Sequence, residues 1–70
     1  MTHPITLTVE LSDAQAWELA QFIKRLRFDQ CYDMTDAWRS RAEREERAYR
    51  MLYALDHVRG ALELAGFAPR

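Results

Sequence analysis

The stretch Ile5-Thr6-Leu7-Thr8-Val9-Glu10-Leu11-Ser12-Asp13-Ala14-Gln15 decides how the rest of the chain is read. Ile5, Leu7, Val9 and Leu11 are apolar and alternate with Thr6, Thr8, Glu10 and Ser12. That is the period-two pattern of a half-buried strand rich in β-branched residues, so a strand is predicted over residues 5–11. Directly after it, Ser12 and Gln15 have the spacing of a capping box, and Asp13 falls in the first turn, where the positive end of the helix dipole favours an acid. A helix is therefore predicted to start at Asp13. Ala16, Leu19, Phe22, Ile23 and Leu26 recur at spacings of three and four and form one apolar stripe, which carries this helix to about residue 28.

The segment that follows, over residues 29–35, has no clear period and contains Asp29 and Asp33, so it is predicted as a connection with room for a helical turn. Thr35 and Asp36 then supply a cap and a first-turn acid, and neither Gly nor Pro occurs again until Gly60. A long second helix is predicted over residues 36–65. Its first half is charged, with Glu43 and Arg47, and Glu46 and Arg50, at i,i+4. Its second half carries an apolar stripe through Ala48, Met51, Leu52, Leu55, Val58, Leu62 and Ala65. Gly66, Phe67 and Pro69 match a left-handed C-cap, a hydrophobic residue just beyond it, and a proline that cannot continue the helix. The expected fold is α+β and mostly α: one N-terminal strand followed by two helices, in a single domain over residues 1–70.

Composition bounds the function. The chain has 70 residues, with Lys+Arg 10 against Asp+Glu 11 and a net charge of -1, so it is neither a polyanion mimic nor a basic nucleic-acid glove. No run approaches the apolar length of a membrane span, and the first residues lack a charged and then apolar leader, so a cytoplasmic protein off the membrane is expected. Cys31 is the single cysteine, which excludes an intramolecular disulfide and the usual structural zinc site. The fold must stand on packing alone, and a chain this short draws help from oligomerisation. A lone strand also leaves its N–H and C=O groups without a ladder. The simplest solution is pairing of Ile5, Leu7, Val9 and Leu11 with the same residues of another copy, giving a two-fold homodimer. The competing solutions are a strand lying on its own helices with water on one edge, or addition to a sheet in another protein.

Strand, helix, helix with a dimeric ribbon resembles the ribbon-helix-helix DNA-binding repressors, on Ile5 through Leu11, Ser12-Asp13 and Thr35. The resemblance covers about the first 40 residues and rests on pattern. It implies that Thr6, Thr8 and Glu10 face bases and that backbone amides at Thr35 and Asp36 hold a phosphate. The chain departs from that pattern in a strand face with no Arg or Lys, a longer connection and a longer second helix. Specific DNA binding draws on several Lys and Arg contacts to phosphate, and this strand has none.

Other candidates lie further along. Arg39, Arg41, Arg44, Arg47 and Arg50 are interleaved with Glu43, Glu45 and Glu46, which reads as a solvated helix face laced with ion pairs. If that face binds a partner, Arg41 and Arg44 lie together on one side. Trp17, Phe28, Tyr32, Trp38, Tyr49 and Tyr53 are many aromatics for this length, and Trp38 beside Arg39 and Arg41 has the composition of a binding hot spot. Asp56-His57 does not make a catalytic pair, because adjacent helix residues point about 100° apart. Cys31 reads as a small buried hydrophobe, and His3 has no assigned role. No phosphate loop, paired-carboxylate frame or zinc spacing occurs, so neither catalysis nor a cofactor is expected.

In texture, LSDAQAWELAQFIKRL and the ending ALELAGFAPR are similar to small proteins encoded by phages and prophages. That resemblance implies a non-catalytic protein acting by binding, such as an anti-CRISPR-like inhibitor of a bacterial defence system or a small regulator. The expected partner is thus a protein, met through Trp38, Arg41 and Arg44. The alternative is a DNA-binding regulator using Thr6, Thr8 and Thr35.

Overall fold

The computed structural model describes residues 3–69, and in that range the chain is helical: α1 spans Asp13–Arg25, α2 Phe28–Asp33 and α3 Arg41–Leu64. α1 begins where its cap dictates. The Ser12 hydroxyl accepts from the Gln15 amide at 3.1 Å, and the Gln15 side chain accepts from the Ser12 amide at 3.0 Å, which satisfies two of the amides a helix start leaves over. At the other end of the chain Gly66 takes φ 99. Phe67 N–H donates to Leu62 C=O at 2.8 Å and Gly66 N–H to Glu63 C=O at 3.0 Å, a Schellman closure.

The strand expected over residues 5–11, and with it the β-α-α class, is corrected. No strand forms among the described residues. The arm before Ser12 is extended but has no ladder, and Ile5, Leu7, Val9 and Leu11 all stay exposed. A strand is a property of a pair, and the alternating sequence supplies only one member of it.

The second correction concerns the middle of the chain. α1 stops at Arg25, three residues early, because Leu26 and Arg27 turn extended, with ψ 136 and ψ 161. Residues 28–33, expected as a connection, instead form α2. The Gln30 side chain accepts from the Arg27 amide at 2.9 Å and so supplies the returning half of a capping box. Six residues are too few for an independent helix, so α2 is held by what it packs against. The third correction is the start of the long helix, which begins at Arg41 and is capped by Ser40, whose hydroxyl accepts from the Glu43 amide at 3.2 Å. Thr35 closes α2 instead: its amide and hydroxyl donate to Tyr32 C=O at 3.0 and 2.6 Å.

α1 and α2 together make one broken limb that runs antiparallel to α3. α1 packs on the C-terminal half of α3, with Ala16, Ala20, Ile23 and Leu62 buried and Leu19, Leu55 and Phe67 against them. α2 packs on the N-terminal half, where Cys31 and Ala48 are buried. Small residues line both seams, which lets the backbones approach closely. The result is one layer of helices, 39 × 30 × 17 Å, and no large side chain in it is fully buried.

Candidate functional site

Two surfaces stand out, one on each half of the hairpin. On the α2–α3 half a row of aromatic rings runs across the seam. Phe28 lies 6.1 Å from Tyr32 and 4.6 Å from Tyr49, and Tyr49 stacks on Tyr53 at 5.8 Å, all between ring centroids. Tyr49 and Tyr53 remain exposed, Tyr53 by 61%. Arg44 closes one end of the row, its guanidinium 4.2 Å above the Tyr32 ring. The same side chain donates from Nε to the Thr35 hydroxyl at 2.8 Å and from Nη2 to Tyr32 C=O at 3.2 Å. Arg44 is therefore a clasp between α2 and α3, with its donors aimed inward.

The other residues expected at a partner surface are placed differently from Arg44. Arg41 has a side chain 86% exposed, joined to Glu45 at 3.0 Å. Trp38 lies in the short turn before α3, 76% exposed, with the Arg39 guanidinium 4.3 Å over its ring. Arg39 is itself held by Asp36 and Glu43, both at 3.1 Å, and the Asp36 hydrogen bond leads in raising its pKa. The Ser40 hydroxyl, followed by Arg39, lowers the pKa of Glu43. Glu43 thus pairs with Arg39, not with the expected Arg47, while the expected Glu46–Arg50 pair forms.

Thr6 and Thr8 are exposed on the arm, but Thr35 is 8% exposed and its hydroxyl is bonded on both sides. The helix N-terminus expected beside it begins only at Arg41, so the arrangement implied for a phosphate does not assemble.

The second surface is a cleft of about 430 Å³ on the α1–α3 half, walled by Leu7, Val9 and Leu11 of the arm, Leu19 of α1, Val58 of α3 and Phe67 beyond it. No charged residue lines it. Trp17 stands at the same end of the hairpin, edge-on to Phe67 at 5.2 Å and 73°. The signal for this cleft was present in the alternation of the arm, although its reading as a strand pointed to the wrong consequence. The aromatic row was half legible: Phe28 and Tyr32, and Tyr49 and Tyr53, are each spaced i,i+4, but the contact that joins the two pairs, Phe28 on Tyr49, crosses between elements whose register only packing sets.

The remaining chemistry-bearing residues do not converge. Asp56 is bonded to Arg59 Nε at 3.0 Å, not to His57, Cys31 is buried, and no group of three or more His, Cys, Asp or Glu among the described residues could hold a metal ion. No helix of the described chain is long and apolar enough to cross a membrane.

Comparison with known proteins finds no match among curated proteins and none among solved structures. A family model does match, over residues 1–70. The chain thus belongs to the family of unknown function DUF7706.

Proposed function

We propose that this chain is a non-catalytic protein-binding module, and that its partner docks on the aromatic row of the α2–α3 half with Trp38 as a second anchor. The observation that supports this reading is the row itself: Phe28, Tyr32, Tyr49 and Tyr53 touch ring to ring while Tyr49 and Tyr53 stay open to solvent. Aromatic side chains give large contact area at low entropic cost, and with Arg they dominate the energetics of protein interfaces. The Arg44 clasp holds Tyr32, and with it α2, against α3, so that part of the row needs less ordering on binding. Charges around the row are mixed in sign, with Arg41 paired to Glu45 and Arg50 to Glu46 and with Asp29 and Asp33 beside Phe28 and Tyr32, so no single sign of charge selects the partner. The resemblance in sequence texture to small phage and prophage proteins supports a bacterial defence complex as the target.

The test is affinity capture from cells expressing the tagged chain, compared with its Trp38→Ala and Tyr53→Ala variants and followed by binding of the purified pair. A defined protein bound by the parent chain, lost in both variants and retained between low and high salt, supports the reading. Retention by both variants refutes the site. Binding to a random DNA duplex that falls steeply with salt refutes the class of partner.

A further inference from the structure

Area points to what covers the second surface. A folded monomer of 8.3 kDa exposes about 4,600 Å², whereas this chain exposes 6159 Å². The excess of about 1,600 Å² per chain is twice what one partner contributes to a standard interface and falls in the range of obligate dimers. The radius of gyration tells the same story, 14.0 Å against about 11 Å for a globular chain of this length. The shape explains both numbers. A hairpin of helices 17 Å thick is a single layer, and a domain needs a second layer to bury the apolar face of the first.

We propose that the second layer is another copy of this chain, related by a two-fold axis, with the cleft of each protomer closed by the apolar arm of the other. The cleft and the arm are self-complementary in chemistry. Leu7 is 80% exposed at the rim of a cleft lined by apolar side chains, so what enters it must be apolar, as the arm is. The cleft offers no charge with which to select an acidic or basic partner. A net charge of -1 per chain sets no electrostatic barrier to self-association. Because the patch is shared by both protomers, the contact closes as a dimer and leaves no free copy of itself for growth. This face lies on the opposite half of the hairpin from the aromatic row, so the proposal stands independently of the protein-binding reading above.

The experiment is light scattering coupled to size exclusion, from micromolar to near-millimolar protein, with far-UV circular dichroism on the same fractions. The expected parent mass is twice the 8.3 kDa of the chain. Leu7→Ser with Val9→Ser alters exposed residues on the arm side of the cleft, and Val58→Glu places a charge on its α3 side. Each should weaken dimerisation at least tenfold, whereas Tyr53→Ser on the other half should leave it unchanged. A methyl NOE from Leu7 of one isotopically labelled chain to Val58 of an unlabelled one checks the location even where a variant loses its fold. A parent chain that is monomeric throughout overturns the proposal and leaves the cleft to a segment of a different protein. A dimer dissociated by Tyr53→Ser but not by the arm and cleft changes overturns it as well.

Discussion

Replacing Arg44 by alanine removes a side chain that reaches from α3 to both α2 and the turn after it. In the parent structure Arg44 donates to the Thr35 hydroxyl at 2.8 Å and to Tyr32 C=O at 3.2 Å, and lies 4.2 Å over the Tyr32 ring. A hydrogen bond from a charged donor contributes about 1.5–3 kcal/mol, and a partly exposed cation–π contact about 0.5–1 kcal/mol. These do not add in full. Tyr32 C=O keeps the donation of Thr35, and water can reach the half-buried site, so the net loss is about 2 kcal/mol. A domain of this size has about 3–5 kcal/mol in all, so the loss is a large fraction of it. At roughly 4–8 °C per kcal/mol for a small domain, the melting midpoint should fall by about 8–16 °C. The assay is thermal unfolding by circular dichroism at one fixed protein concentration, since the proposed self-association would make the midpoint concentration-dependent. Arg41→Ala is the internal control, because its exposed pair with Glu45 is worth at most about 0.5 kcal/mol. If Arg44→Ala and Arg41→Ala melt together, Arg44 is not a clasp, and the placement of Tyr32 in the aromatic row loses that support.

Three further outcomes follow from single residues. Ala48 is fully buried in the α2–α3 seam, and Ala48→Leu should cost about 1–3 kcal/mol by overpacking, read from denaturant unfolding, while Ala54→Leu on the exposed face of the same helix stays within about 0.5 kcal/mol. The two glycines should respond with opposite sign in the same assay. Gly66→Ala forces a side chain into φ 99 and should destabilise by about 1 kcal/mol, whereas Gly60→Ala, inside α3 with open space around its Cβ, should stabilise by about 0.5–1 kcal/mol. The Glu43 carboxyl should titrate below its ordinary value in a carbon-detected NMR experiment, because the Ser40 hydroxyl and then Arg39 favour its charged form. A pKa lowered by folding adds stability that is present above the unfolded value and lost as pH falls through the folded one. Ser40→Ala should move the titration back up, and an unmoved titration would assign the effect elsewhere.

The sequence alone determined the features that depend on neighbours in the chain. Ser12 with Gln15 starts α1 and Gly66 with Phe67 ends α3 because each motif closes hydrogen bonds within a few residues, whatever the rest of the protein does. The i,i+4 pair of Glu46 and Arg50 is local in the same sense. Tertiary structure decided the rest. The apolar alternation over Ile5 to Leu11 has the period of a strand, but pairing partners lie outside the segment, and in the single chain the arm finds none. Phe28 to Asp33 lacks the length and period of a helix and becomes one because Phe28 meets Tyr49 and Arg44 holds Tyr32. Thr35 has the residue type of an N-cap, and packing made it the close of the preceding helix. The candidate site divides the same way: the apolar face of the arm was legible residue by residue, whereas the aromatic row exists only once two helices from different parts of the chain are brought into register.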